Sequence, residues 1–368
     1  MSRLGNRVTT FVKNYRGWLT PPLFVHHSTE GSQPLTDLDA VIRTGMIDPI
    51  VLAKHLLGMP LYDSNGEAVK EVQVRRLLRH HPDKRCTLEI GLRTEGGWHF
   101  LIAKFYRKDR SDVFQAMKGV QQSGFGPQDQ FSIPQPVGYA SSLHCLLQEM
   151  VNGTLAVEIF KTGDELTRAA AAERCALWLA RFHALAPKAG PISSPSDYST
   201  SKTMRRYSLK IANLVGRHAQ KAAQLLHRLK DASASLSAVE MCAGHASYTP
   251  RQIILAEGRT VVFDWAGYDV ADPARDVARF LAALRRLGLG WLGSMRAMDG
   301  TVEVFLNTYL AAGPPEAKKN LRFFAAATYL NLAKHTLCRP GPHRQEKQDI
   351  AEAVLDEGLR VLEPGAKP

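Results

Sequence analysis

Gly244-His245-Ala246-Ser247-Tyr248-Thr249-Pro250-Arg251-Gln252-Ile253-Ile254-Leu255, followed by Ala256-Glu257-Gly258-Arg259 and Thr260-Val261-Val262-Phe263-Asp264-Trp265, is the stretch that decides the fold. A polar loop runs into an apolar strand. A turn containing Gly258 brings the chain back, and a second apolar strand ends on an acid. Two short apolar runs about a glycine turn spell a hairpin. Gln252 and Asp264 follow Ser247 by five and seventeen residues. Both offer side-chain oxygens of the kind that a hard divalent cation takes.

Kinase-type phosphoryl transfer uses this order: a loop at the reacting hydroxyl, a metal-binding amide, then a metal-binding carboxylate after a hairpin. The stretch resembles the aminoglycoside phosphotransferase and choline kinase-like family. That family's loop reads His-Gly-Asp, four residues, then Asn or Gln. His245 stands for its His, Ala246 for its Gly, Ser247 for its catalytic Asp and Gln252 for its amide. Asp264-Trp265 resembles the family's metal motif, and Asp272-Pro273-Ala274-Arg275-Asp276 resembles its Gly-Asp-Pro-x-x-Asp signature. Three motifs in order within 245–276 are more specific than any one of them. The departure at Ser247 bears on catalysis, not on the fold.

The resemblance implies an α+β, bilobal protein-kinase-like fold. It divides the chain into an N-terminal extension over 1–60, a nucleotide-binding sheet lobe over 61–150 and a helical lobe over 151–368. It implies ATP and Mg²⁺ as cofactors, with Gln252 and Asp264 on the metal and His245 and Ser247 at the reacting hydroxyl. An acid elsewhere, such as Asp269, is a further candidate for the missing base.

Within 70–107 the pattern is of three antiparallel strands. Val72, Val74 and Leu77 lie in the first, Cys86, Leu88 and Ile90 alternate in the second, and Glu95-Gly96-Gly97 turns into a third that carries Lys104. Lys104 is an edge lysine extending its stem along apolar surface or, as the resemblance implies, the lysine that meets nucleotide phosphates. No glycine-rich loop joins the first two strands. Arg79-His80-His81-Pro82-Asp83-Lys84-Arg85 occupies that place, a solvated turn or a phosphate contact through Lys84 and Arg85. A helix over 111–122 lacks the glutamate that kinases aim at this lysine, leaving Asp112 and Gln115 as polar candidates. Leu146–Gly153 reads as a buried strand ending in a turn or, by the resemblance, as the hinge whose backbone meets adenine around Glu149 and Val151.

Beyond the hinge the sequence is mainly helical. Cys175, Trp178, Leu179 and Phe182 form one core stripe, with His183 beside it as a structural residue. Asp272-Pro273 suits a helix start, and Asp276 is placed to tie that helix back to the loop. Further helices are expected near 298–312, 316–336 and 346–362.

Composition bounds the rest. The 368 residues, 45% hydrophobic and 22% charged, suit a globular protein of about two domains. No apolar run is long enough to span a membrane, and no signal peptide is visible. Five scattered cysteines without metal or redox spacing fit a reduced, cytoplasmic setting. Before Glu30 the chain is basic, and Val8, Phe11, Val12, Tyr15, Trp18 and Leu19 recur at helical spacing. That helix docks on its own domain, contacts a membrane surface through residues 1–20, or is a transit-like peptide. Short helices near 36–44 and 48–58 follow.

The net charge is +12, and the basic residues of 202–230 are a solvated helix face or a site for an anionic partner. No nucleic-acid module is recognisable. The charge argues against a polycationic substrate. The reading is an ATP-dependent phosphotransferase acting on a small hydroxylated molecule. The alternatives are a nucleotide-binding pseudokinase or regulatory module, and a basic surface-binding protein with no nucleotide.

Overall fold

The structure, a computed structural model, describes residues 69–81, 85–193, 202–213, 216–338 and 344–366. The expected N-terminal helices, the segment 1–20 and Lys84 lie outside the described residues. In chain order come β1 (Glu71–His81), β2 (Arg85–Thr94), β3 (Gly97–Tyr106), α1 (Ser111–Gln122), β4 (Phe131–Ser132), β5 (Pro136–Ala140), β6 (Cys145–Glu149) and β7 (Thr154–Leu155). Next are α2 (Ala156–Thr162), α3 (Glu165–Leu185), β8 (Ile192–Ser193), α4 (Lys202–Ala212), α5 (Gly216–Ser233), β9 (Cys242–Gly244), β10 (Ile253–Leu255), β11 (Thr260–Val262) and β12 (Asp269–Ala271). The chain finishes with α6 (Ala274–Leu292), α7 (Asp299–Ala312), α8 (Leu321–Cys338) and α9 (Arg344–Arg360). The fold is α+β and divides into two compact units. One comprises Leu155–Leu255 with the chain from Asp264 onward; the other ends at Thr154 and includes Ala256–Phe263.

The sheet unit is built on a five-stranded antiparallel sheet in the order β1-β2-β3-β6-β5. β2 is buried on both faces, and on one of them Cys86, Leu88 and Ile90 join Ala103, Phe105, Cys145 and Leu147 in one cluster. Val72, Val74 and Leu77 pack against it from β1. Register shifts after Val74 and Leu77 bend β1 without breaking its pairing, which continues to His81 opposite Arg85. On α1 the buried residues Val113, Met117 and Val120 recur at helical spacing. β11 lies parallel to β4, with Thr260 opposite Phe131.

The helical unit starts its long helix where the sequence offers a cap: the Asp164 carboxylate accepts the Thr167 N–H at 2.8 Å. Along α3 the expected stripe of Cys175, Trp178, Leu179 and Phe182 is wholly buried. Helix α6 ends on Gly293 in the left-handed conformation. Helices α7, α8 and α9 answer to the three expected near 298–312, 316–336 and 346–362. The second begins at Leu321, because Pro315–Lys318 form a separate 3₁₀ turn. Three short strands, β8-β12-β9, form a small sheet, with Asp269 opposite Gly244.

All five cysteines are free, and Cys338 alone of them is exposed. Among the described residues no helix is long and apolar enough to cross a membrane. Replacing a fully buried β2 side chain should expose how much the sheet unit depends on its single core. Leu88→Ala is expected to cost about 2–5 kcal/mol, read as a lower urea midpoint.

Candidate active site

The loop between β9 and β10 is held from below by an aromatic stack. The Trp178 ring lies 5.1 Å from Phe182 and 5.7 Å from Tyr248, centroid to centroid, and Trp265 packs edge-on to His245 at 4.9 Å. The Tyr248 hydroxyl donates to the Cys175 carbonyl at 2.6 Å, which fastens the loop to α3. Phe280 of α6 and Phe305 of α7 extend the stack.

From the side the loop is held by Asp276. Its carboxylate accepts the backbone N–H of His245 at 2.6 Å and of Ala246 at 3.0 Å. The expected tie from α6 to the loop is therefore present. His183 Nε2 lies 3.7 Å from the same carboxylate, and its Nδ1 meets the Tyr309 hydroxyl at 2.6 Å. Burial alone would raise the Asp276 carboxyl; the charge of Arg275 and the neighbouring His183 outweigh it and hold the group well below the ordinary carboxylate range.

Behind this sits a buried bidentate pair. Arg275 donates to both oxygens of Asp269 at 2.6 Å, and Ser193 Oγ donates to Asp269 at 2.6 Å. Gly244 makes room for it: a Cβ there would run into Arg275 Nη2 and Asp269 Oδ1. Asp269 is thus committed to Arg275 and Ser193 and is not a substitute base. Asp272 accepts from the Ala274 N–H at 2.8 Å and from Asn320 at 2.7 Å, and burial raises its carboxyl.

Ser247 and Asp264 come together at the top of this frame. Ser247 Oγ is 3.2 Å from His245 Nδ1 and 3.5 Å from the Asp264 carbonyl. Two residues here adopt left-handed backbone: Ala246 with φ 61° and Asp264 with φ 75°. For a residue with a Cβ this costs of order 1 kcal/mol or more, and it tends to concentrate at working sites. Both Ser247 and Asp264 are partly exposed. On the 3₁₀ turn Pro250–Gln252, the Thr249 hydroxyl donates to Gln252 Oε1. A carbonyl oxygen has two lone pairs, so that contact leaves Gln252 able to face a cation as well. One carboxylate and one amide oxygen make a sparse donor set. It fits Mg²⁺, which keeps waters and phosphate oxygens around it, and is too small to cage a cation by itself. Among the described residues no group of three or more His, Cys, Asp or Glu side chains is arranged as a metal cage.

The other candidates belong to the sheet unit. Lys104 is buried in β3, opposite Thr87 and Leu146. Arg85 opens β2. Of the two polar candidates on α1, Asp112 is spent on Arg110 at 2.9 Å and Gln115 is exposed. Glu149 takes a bidentate contact from Arg259 at 3.0 and 3.3 Å, and its N–H donates to the Gln135 carbonyl at 2.9 Å. Val151 is buried just past the end of β6. The pairing of Arg259 with Glu149 and the roles of Arg275 and Gly244 are not legible in the sequence. The only signal for Arg275 is its place inside the Asp-Pro-x-x-Asp motif.

The sequence matches the phosphotransferase enzyme family over residues 92–318, more than half of the chain. The chain belongs to that family. A comparison with curated proteins finds no match. Among solved structures, a choline/ethanolamine kinase family protein from Mesorhizobium loti superposes with a TM-score of 0.54 at 12% identity, over 90% of this chain and 96% of that one. A thermostable mutant of the aminoglycoside phosphotransferase APH(4)-Ia, in ternary complex with ADP and hygromycin B, gives 0.53 at 13%, over 82% and 96%. Amicoumacin kinase hAmiN with AMP-PNP, Ca²⁺ and Ami gives 0.56 at 12%, over 88% and 96%. At such identities the likeness is one of fold, and the fold is kinase-like.

The Asp276 brace yields a signed expectation. Its folded carboxyl is depressed, so its contribution is whole above the unfolded value, about 3.9, and is lost as pH falls. Asp276→Asn should cost about 2–3 kcal/mol at neutral pH, because an amide NH₂ would then face a backbone N–H. Thermal unfolding of the two proteins should differ at pH 7, and the gap should narrow as pH drops below about 4.

Proposed function

We propose that this phosphotransferase-family chain moves the γ-phosphoryl group of ATP, as its Mg²⁺ complex, to a hydroxyl of a small molecule. The observation that carries the reading is that Ser247 Oγ reaches the backbone carbonyl of Asp264, which brings the loop and the acid-bearing turn together. A partly exposed aspartate in left-handed backbone sits beside a loop that Asp276 and Tyr248 fix in position. In this proposal Asp264 and Gln252 hold the metal, Lys104 meets the phosphates with Arg85 and Lys84 nearby in sequence, and the backbone around Glu149 and Val151 takes the adenine. The ion supplies charge neutralisation across the phosphates; the chain supplies position.

Ser247 defines the chemistry that remains. A hydroxyl is no general base at neutral pH, and losing one costs about 10²–10⁴-fold. Phosphoryl transfer depends mainly on positioning and electrostatics, so a slower reaction is still open to this site. The short path from Ser247 Oγ to His245 Nδ1 offers an outlet: the acceptor's proton passes to Ser247 Oγ while the serine's own proton moves to the imidazole. A nucleotide-binding pseudokinase is the second reading. The commitment of Asp269 to Arg275, which leaves no spare carboxylate there, favours it.

Saturating Mg–ATP should raise the melting temperature, by an amount equivalent to about 2.7 kcal/mol at a hundredfold excess over Kd. An unmoved transition would sink both readings. Asp264→Ala should abolish the metal-dependent part of the shift while the protein stays folded. Ser247→Asp separates the readings by ATP consumption against a panel of sugars, nucleosides and other hydroxylated metabolites, with Asp264→Ala as the blank. A gain within about 10²–10⁴-fold marks an enzyme short only of its base. A fall marks an enzyme that works through Ser247 and His245, and no activity in either form marks a pseudokinase for those acceptors.

A further inference from the structure

The basic residues of 202–230 do not share one fate. On α5, Lys221 pairs with Glu352 at 3.0 Å and Asp356 at 2.6 Å, and Arg217 pairs with Glu352 at 2.9 Å, so α9 supplies their counter-charge. On α4 the outcome differs. Arg206 and Lys210 are exposed, and among the described residues neither has a carboxylate partner. Both α4 and α6 pack on α8, and Lys334 of α8 reaches Tyr207 of α4. Lys334 Nζ lies 4.0 Å from the centre of the Tyr207 ring and donates to Asn331 Oδ1 at 3.0 Å, with His335 Nε2 also at 3.0 Å. Arg279, half-buried on α6, is the fourth cation. Burial pushes the Lys334 ammonium down to about 8; Lys210, Arg206 and Arg279 push the same way, against an opposing effect of Cys338.

Four cations on three packed helices, two of them half-buried and one of those on an aromatic face, would gain from an anion bound among them. A solvated face would let its lysines turn outward; Lys334 is instead drawn in by Asn331 and Tyr207. Arg279 lies three residues past Asp276 on α6, the helix whose first turn holds the Ser247 loop. Through Arg279 the cluster shares α6 with Asp276, the residue that braces the Ser247 loop.

We propose that Arg206, Lys210, Arg279 and Lys334, with Tyr207 and Asn331, form a binding site for the phosphate or carboxylate group of a small anionic acceptor. Its assignment to the acceptor rests on the phosphotransferase reading; the binding of the anion does not. Arginine and lysine suit this task, because each adds a charge-assisted hydrogen bond to the oxygens of the ligand. A small ligand is favoured over a membrane or a nucleic acid because the central lysine is half-buried rather than projecting from the surface.

Calorimetric titration of the whole protein with inorganic phosphate, succinate and glycerol, without nucleotide or metal, tests the proposal. The wild type should bind phosphate or succinate, and the better of the two identifies the anionic group, while glycerol gives no heat. Lys334→Met and, as an exposed variant that leaves the fold undisturbed, Arg206→Gln should each weaken that binding about tenfold or more. Lys118→Met, an exposed change on α1 outside both proposed sites, should leave it unchanged. Silence from both anions, binding that survives Lys334→Met and Arg206→Gln, or loss only in Lys118→Met would each overturn the assignment. So would binding to phosphatidylserine vesicles without binding to either free anion. A failed Mg–ATP shift would leave this titration intact, and a failed titration would leave the nucleotide reading intact.

Discussion

The loop that carries Ser247 has its geometry because one buried carboxylate, Asp276, accepts two consecutive backbone N–H groups. Consecutive amides point at one acceptor only when the chain turns sharply, and Ala246 makes that turn in left-handed conformation. A buried carboxylate so placed is tolerable only with positive charge near it. Arg275 supplies the charge, but Arg275 is itself buried and is fixed by Asp269. Asp269 in turn lies opposite Gly244 in the pairing of β12 with β9. The network closes on itself, and its removal at any point leaves an uncompensated charge in the interior. Gly244 is required here for space alone, since any side chain would enter the Arg275–Asp269 contact.

How much of this could be read beforehand follows from the range of the interactions. The alternation Cys86, Leu88, Ile90 and the stripe Cys175, Trp178, Leu179, Phe182 are local patterns, and both are core as expected. The hairpin sequence and the Asp-Pro-x-x-Asp motif are local too, and they point to the family. By contrast β5, which pairs with β6 at the sheet's margin, starts at Pro136 and contains Gly138, and reads locally as a turn. Asp264's left-handed backbone leaves no trace in composition. Lys334 and Arg206 are more than a hundred residues apart, and only the packing of α4 on α8 brings them near one another.

Net charge is informative as a sum and misleading as a location. The excess of +12 suggests an anionic partner, and the run 202–230 looks like one basic face. The structure splits that run. Exposed pairs such as Lys221 with Asp356 contribute little to stability, commonly under about 1 kcal/mol. They give Arg217 and Lys221 of α5 counter-charges on α9, which Arg206 and Lys210 of α4 lack among the described residues. A site is defined less by how many cations it has than by which of them lack a neighbour of opposite sign.

In place of Asp264, glycine would take φ 75° without strain, and asparagine nearly so. Aspartate there carries the backbone cost and adds a charge in a partly exposed position, and it has no capping bond to its own turn. Aspartate is among the few residues besides glycine that enter this region readily, so the turn accommodates a carboxylate here without demanding one. Ser247 stands where the backbone is held from both sides. Tyr248, Asp276 and Trp265 fix the backbone on either side of it, so the loop keeps its shape without a carboxylate at that position. The frame thus holds the loop whichever residue stands at 247, and position and charge are what phosphoryl transfer depends on most.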